Sequence, residues 1–484
     1  MTNEITADVT YARARPRRPR MLVVALSFAS LFAAVVQAVV VPILPDMARE
    51  FNVSIAAVSW TVTAGLATAA AVVPVFGRLA DMRSGRGMLL LALALITVGG
   101  VVSGLASDLA PMIIGRTLQG AAGVILPLAI TIASVELAGP LRTTGVAAIA
   151  AGLGVGGGLG PVLAGLLMRI ISDFRAVLWM TAVMGAVALL LAVVFIPART
   201  SRFDLGVRFD VMGAVLLSAG VLLVLVPLSK ATDWGWGSPQ VLVGATFAVP
   251  ILCLFAAVEK RRPNGLIDIN LLQSKPILSL NLISALVGGL MYILMLGISL
   301  LARTEPSEGY GFGATPLETA VDFLLPITAG AVVASPIGVR LVARFSGRTT
   351  MILAGVIGSL GLTLLSLGHE RQALVTVGAI AGGIAISLSY VASPILVRRF
   401  TPASKIGMAN SANALFRWIG GAAASSIFAA VTMSLTGQAG SAVPWLLFLP
   451  GVLASVAIVS VGVFGLPRKD RIRTRSDGAS CRAR

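Results

Sequence analysis

Fourteen long apolar runs divide this chain of 484 residues, and positive charge gathers in alternate gaps between them. A helix of about 20 apolar residues crosses the ~30 Å hydrocarbon core of a bilayer. The runs fall at 21–44, 56–78, 87–106, 110–134, 142–167, 174–197, 209–229, 239–258, 277–301, 316–341, 349–367, 370–395, 405–432 and 442–466. With 57% hydrophobic and 12% charged residues, the chain carries more apolar surface than a soluble fold of this length can cover. The runs lack the ten-residue alternation of an outer-membrane barrel. The expected fold is an all-α polytopic membrane protein with 14 transmembrane helices.

The net charge of +17 invites a nucleic-acid reading, but its distribution opposes one. With the amino terminus inside, 29 of the 37 Lys and Arg fall in inward segments and 6 (Arg49, Arg169, Arg175, Lys230, Arg303, Arg371) in outward loops. Arg116 and Arg417 lie inside runs. This bias is that of a protein of the cytoplasmic membrane with both termini cytoplasmic. The basic arm (1–20) and tail (467–484) then face anionic lipid headgroups rather than nucleic acid. Arg17-Arg18 ahead of the first run imitates an export signal, but that run is too long for one and no cleavage is expected. Cys253 and Cys481 suggest neither a disulfide framework nor a metal pattern. The single histidine, His369, reads as a solvated residue of an outward loop. No cofactor is expected, and nothing calls for more than a monomer.

The chain also repeats itself. An offset of 262 residues carries Pro74, Arg78, Leu79, Ser84, Gly85 and Arg86 onto Pro336, Arg340, Leu341, Ser346, Gly347 and Arg348 without a gap. The same offset lays the first five runs on the ninth to thirteenth. The chain thus reads as a six-helix bundle (21–197), a two-helix insert with its loops (198–276) and a second six-helix bundle (277–466). Parallel six-helix repeats with a substrate site between them are one transporter design.

Several motifs sit on this frame. After the second run stands Gly77-Arg78-Leu-Ala-Asp81-Met-Arg83-Ser-Gly85-Arg86. The fourth run holds Gly115-Arg116-Thr-Leu-Gln119-Gly120. The fifth holds Gly152-x-Gly154-x-Gly156-Gly-Gly-Leu-Gly160-Pro161-x-x-x-Gly165, and Trp234-Gly-Trp236-Gly-Ser238 and Gly309-Tyr-Gly-Phe-Gly313 follow later. Together these resemble the major facilitator superfamily, and within it the 14-helix drug/proton antiporter branch, over about residues 20–466. The resemblance implies that the Gly77–Arg86 loop, with Asp81, Arg83 and Arg86, latches the inner side in the outward-open state. Glu136 is placed to join that cluster. It also implies a fourth-helix arginine that faces the pathway and affects proton handling, and an antiporter motif in helix 5. The chain departs from the family in three places. Aligned on Leu44-Pro45, Val36 stands where the branch carries a helix-1 Asp, with Gln37 the nearest polar residue. The Gly-Arg of the loop is shifted by one residue, and Ala343 replaces the acid in the second copy.

Charges within hydrocarbon are costly and hence functional candidates, at ~2.5–3.5 kcal/mol each on insertion scales. Asp322, one to two turns into the tenth run, is expected to be desolvated, its neutral form favoured, as a proton or cation site; a boundary carboxylate still in water is the alternative. Glu318, a turn earlier, is expected in that water. Arg116, with Gln119 on its face, either lines the pathway or ties helix 4 to its neighbours. Asn410, Asn413 and Arg417 share one helix face, at the pathway or the seam between bundles, and an Arg417–Asp322 pair is the sharpest expectation. The glycines of helix 5 allow close approach, and Pro161 can bend the helix.

These residues point to secondary active export of small, mostly apolar compounds in exchange for protons, by alternating access. The partners are then the substrate, protons and the bilayer. A facilitator, or an exporter of neutral or anionic metabolites without proton coupling, is the second reading. A membrane enzyme or sensor is the third, and the chain lacks the clustered His, Cys or paired acids it would need. It also contains no phosphate-binding Gly-x-x-x-x-Gly-Lys-Ser/Thr loop.

Overall fold

The computed structural model describes residues 18–53, 55–58, 60–198, 210–235, 237–261, 267–402, 405–434 and 442–467. The arm and tail expected at the two ends lie almost wholly outside these residues, as do Trp236 and the Asp81 side chain. Among the described residues, thirteen helices are long and apolar enough to cross a membrane. They are α1 (Pro19–Ala38), α2 (Trp60–Met82), α3 (Gly85–Gly104), α4 (Leu109–Glu136), α5 (Gly139–Ile171), α6 (Phe174–Phe195), α7 (Val211–Trp234), α8 (Pro239–Lys260), α9 (Lys275–Arg303), α10 (Thr319–Arg344), α11 (Gly347–Leu367), α12 (Gln372–Phe400) and α14 (Ala442–Gly465). The 29-residue helix α13 (Ile406–Ser434) stands between the last two, so fourteen helices answer the fourteen apolar runs.

Hydropathy is blind to the breaks within them. The first run stops at Ala38, and a second helix, Val40–Glu50, carries it on through Pro42 and Pro45. In α4 the segment Gly120–Val124 tightens to a 3₁₀ turn, where a β-carbon at Gly120 would collide with Thr68 and the Gly65 carbonyl of α2. The first turns of α10, Thr319–Leu324, are π-helical. Such irregular turns concentrate at functional sites. By contrast α5 runs 33 residues without interruption through Pro161.

The repeated residues perform the same task twice. Ser84 caps α3 by accepting from the Gly87 amide (3.2 Å), and Ser346 caps α11 by accepting from the Thr349 amide (3.0 Å). Each such cap is worth about 1 kcal/mol. Two residues on, Arg86 donates to the Val193 carbonyl near the end of α6 (2.9 Å), and Arg348 donates to the Gly462 and Val463 carbonyls near the end of α14 (3.0 and 2.7 Å). In each copy one serine starts a helix and one arginine fastens that start to the end of the copy's last helix.

Two large apolar cores stand out among the described residues. One is built from α1 and α3–α6 with part of α2, and admits Ala414 of α13. The other is built wholly from residues 277–466. Between them, α5 packs on α10 and α2 on α13. Helix α7 lies against both α2 and α13: Ser218 donates to the Ala71 carbonyl (3.2 Å), and Ser426 of α13 donates to the Leu228 carbonyl. Helix α8 packs mainly on α7 and is the least covered of the thirteen spans.

Two sequence expectations are corrected here. Lys230 is not a loop charge, because α7 runs on to Trp234; the side chain is buried, its ammonium 5.2 Å from the Trp60 ring centroid. His369 is not solvated: it is buried in the α11–α12 connection, and its Nδ1 meets the Ser366 carbonyl at 2.8 Å.

Ahead of α9, Asp268 meets Lys405 at 2.6 Å. Partial burial pushes the Asp268 carboxyl up, but hydrogen bonds from Lys405 and the Leu271 amide outweigh it and hold the group below its ordinary range. A depressed carboxylate stabilises the fold above its unfolded pKa of about 3.9, and that contribution is lost as pH falls through the folded value. Lys405→Ala is therefore expected to move the Asp268 titration, followed by NMR, upward toward that value. An unchanged titration would assign the depression to the backbone amides alone.

Candidate functional site

The buried polar centre of the first bundle is Arg116. It is 4% exposed, and its guanidinium is held by three elements. Nη1 donates to the Val36 carbonyl of α1 (3.1 Å) and to Oε1 of Gln119 (2.6 Å), and Nε donates to the Thr61 carbonyl of α2 (3.4 Å). Gln119 passes the chain on, its Nε2 donating to Oγ1 of Thr181 on α6 at 3.1 Å. Val36 has one of the last four carbonyls of α1, a group left without an intrahelical partner where a helix ends, and a cation suits that negative end of the helix dipole. The position at which the family's acid is replaced thus still meets Arg116, through its backbone. Gln37, beside it, is half-buried and has no part in these bonds.

The second bundle has its own polar centre at Asn413. Its Oδ1 accepts from Ser284 (2.7 Å) and Ser393 (2.9 Å), and its Nδ2 donates to the Leu280 carbonyl (3.1 Å) and to Asn281 Oδ1 (3.2 Å). One side chain thereby joins α9, α12 and α13. Asn410 is buried on the same face a turn earlier. Arg417, the next turn on, is only half-buried, its guanidinium carbon 4.5 Å from the Tyr390 ring centroid.

The glycines of α5 divide between two neighbours. β-Carbons at Gly152, Gly156 and Gly160 would meet the α1 backbone or side chains, while those at Gly154, Gly158 and Gly165 would meet Ala331, Thr328 and Leu317 of the α10 segment. Pro161 is buried with the first set. Across that seam the Thr328 hydroxyl lies 3.5 Å from the Gly154 carbonyl, and Ser335 donates to the Ala147 carbonyl at 2.9 Å. At the other seam a β-carbon on Gly77 would overlap Ser411 of α13. In the loop after α2, Arg78 and Arg86 are half-buried and Arg83 is exposed.

Asp322 is exposed, and the desolvation expected for it is not found. The π-helical turn buries Thr319, Ala320, Phe323 and Leu324 and turns Val321 and Asp322 away from the packed faces. Among the described residues no ion pair joins it to Arg417. Glu318 is exposed as expected; hydrogen bonds from the Thr315 amide and hydroxyl (2.8 and 2.9 Å) hold its carboxyl below the ordinary range. A polar cavity of about 430 Å³ opens beside Asp46, Glu50 and Arg175, within the first bundle and away from these centres. Among the described residues no group of His, Cys, Asp or Glu could hold a metal ion.

The residues that sequence reasoning missed are Thr61, Thr181, Asn281, Ser284, Ser393, Thr328 and Tyr390. Of these, only Asn281, an amide in an apolar run, carried a signal strong enough to find it.

The family model of the Major Facilitator Superfamily matches residues 26–325. The chain belongs to the major facilitator superfamily. The chain is 28% identical over 417 residues to a triacylglyceride transporter of Mycolicibacterium smegmatis, covering 81% of this chain and 72% of that protein. It is 27% identical over 410 residues to the multidrug resistance protein Stp of Mycobacterium tuberculosis, covering 83% and 74%. It is 25% identical over 447 residues to the multidrug transporter protein MdtP of Bacillus subtilis, covering 90% and 80%. Its fold is similar to that of the human organic anion transporter MFSD10, with a TM-score of 0.63 at 16% identity over 90% of this chain and 99% of that one. The chain is a multi-pass membrane protein of a transporter family, and its relatives include proteins named for multidrug transport and resistance.

Proposed function

We propose that this protein exports small, mostly apolar compounds from the cytoplasm across the plasma membrane in exchange for protons. The bundles 21–197 and 277–466 rock against each other around a shared path, with both basic termini on the cytoplasmic side. The observation that carries this is the seam between α5 and α10, where glycines of one helix meet single hydroxyls of the other; the α2–α13 seam is backed by an apolar cluster of Ala70, Leu415 and Ala422 with residues of α7. Contacts of the α5–α10 kind can part and re-form at small cost, as alternating access requires. Bundle-internal contacts are of another kind: Arg116 and Asn413 each tie three helices of one bundle together. The insert, laid across α2 and α13 from one side, acts as a brace for that seam. The Gly77–Arg86 loop serves as the latch on the cytoplasmic face.

Asp322, exposed in the first turns of α10, is the carboxylate on which proton coupling is tested. In an efflux-deficient host, wild type is expected to protect against a panel of toxic compounds, and Asp322→Asn or an uncoupler to remove that protection. Protection untouched by either would reject proton exchange. The second reading, export of neutral or anionic metabolites without proton coupling, is favoured by Val36 in place of the helix-1 acid. Under it, Asp322→Asn leaves downhill flux intact.

A further inference from the structure

We infer that the compounds this protein carries are organic anions, an apolar or aromatic body bearing one acidic group, and that Arg417 with Tyr390 is the site that selects them. The inference rests on the export reading for the direction of movement only; the binding chemistry stands by itself.

The charges inside the spans have one sign at depth. Every Asp and Glu within a span lies in its first or last four residues: Asp81 and Glu136 close α2 and α4, Asp233 and Glu259 close α7 and α8, and Asp322 opens α10. The two charges farthest from the ends are Arg116 and Arg417. A cationic substrate that reached this depth would meet two guanidiniums and no carboxylate.

The two arginines are not equivalent. Arg116 is buried and committed to Val36, Thr61 and Gln119. Arg417 is the twelfth residue of the 29 in α13, and its backbone is fixed where its carbonyl abuts Gly288 of α9. Its guanidinium meets the Tyr390 ring through its carbon at 4.5 Å. Among the described residues it has neither a hydrogen-bond acceptor nor a carboxylate partner. The five N–H donors of a guanidinium form a fork that fits a carboxylate, sulfonate or phosphate. The cation–π contact with Tyr390 supplies part of the stabilisation that a cation needs there, and an anion docked on the N–H donors supplies the rest with charge-assisted hydrogen bonds.

The surroundings fit the body of such a compound. Tyr390 packs against both large cores, and Trp418 packs against the first, so the pair stands at the boundary of the two bundles. The Tyr390 hydroxyl lies 3.8 Å from the Met291 sulfur, and Tyr292 abuts Gly421 one turn beyond Arg417. Aromatic and thioether walls around one cation suit a flat apolar acid.

Three probes of one shape test this: 1-naphthylacetate, its neutral amide, and the cation 1-naphthylmethylammonium, each titrated against the purified full chain in nanodiscs. The wild type is expected to bind the anion about 10- to 100-fold more tightly than the amide, the range of hydrogen bonds to charged groups. Arg417→Gln should erase that difference and leave amide binding unchanged, which also shows that the variant is folded. Arg417→Lys should keep part of it, and Tyr390→Phe nearly all. Equal binding of the three probes, preference for the cation, no binding of naphthylacetate, or a preference that survives Arg417→Gln overturns the assignment. Uptake into everted vesicles separates the two proposals: an anion bound through Arg417 but never moved sinks the export reading, while export indifferent to Arg417→Gln sinks this one.

Discussion

Gly158→Ala is expected to cut export at least about tenfold, while Gly157→Ala next to it leaves export intact. A β-carbon at Gly158 would overlap Thr328 of α10, lying 2.6 Å from its Cβ, and one at Gly157 would meet nothing within 4 Å. Thr328 is β-branched and buried, so it has little rotamer freedom with which to give way. Overpacking of a tight contact costs about 1–3 kcal/mol. At a seam between two bundles that cost falls on one state of the transporter and not the other, and so shifts the population between them. Thr328→Gly in the Gly158→Ala background should restore export, a coupling that independent sites would not show. Equal activity of Gly158→Ala and Gly157→Ala, at equal protein levels in the membrane, would remove the seam from the mechanism.

Arg116→Met is expected to destabilise the protein by about 3–5 kcal/mol and to abolish export. The loss is of the size seen when a buried charged network is broken from one side. The Val36 and Thr61 carbonyls lose a donor, and Gln119 keeps only Thr181. The Val36 carbonyl at the end of α1 and the Gln119 oxygen cost about 1–3 kcal/mol each when no partner replaces the guanidinium. Arg116→Lys retains the charge but offers one point of donation in place of a fork, so it should recover stability only in part. Thermal unfolding in detergent and efflux from cells measure the two effects separately. A stable, fully active Arg116→Met protein would show that the network is idle.

Much of this architecture is legible in the sequence because a bilayer demands so much of it. A helix that crosses must carry some 20 apolar residues, and all fourteen runs became helices. The offset of 262 residues lays Ser84 on Ser346 and Arg86 on Arg348, and in the structure each pair makes matching caps and carbonyl contacts. What stayed hidden depends on register and on backbone atoms. Arg116 and Gln119 plainly share a face at a spacing of three, but the Val36 carbonyl is a partner no side-chain pattern can announce. Thr61 and Thr181 look like any hydroxyl in a membrane helix, most of which bond to their own turn. Asp322 sits in a π-helical turn, where counting at 3.6 residues per turn misplaces a side chain. His369 is buried in the α11–α12 connection and bonds a carbonyl three residues back. In helix 5 the glycine string announces close packing, yet only the coordinates divide it into a face for α1 and a face for α10.

The claim that the two bundles part and rejoin can be tested by tying them together. Ala147 of α5 and Ser335 of α10 touch through a hydrogen bond of 2.9 Å. Cysteines at both positions, with Cys253 and Cys481 replaced by alanine, place one thiol on each side of the seam, and mass spectrometry of the oxidised protein reads whether the bridge has formed. Export is expected to stop on oxidation and to return on reduction, with neither single cysteine responding. Undiminished export with the bridge fully formed would contradict the account.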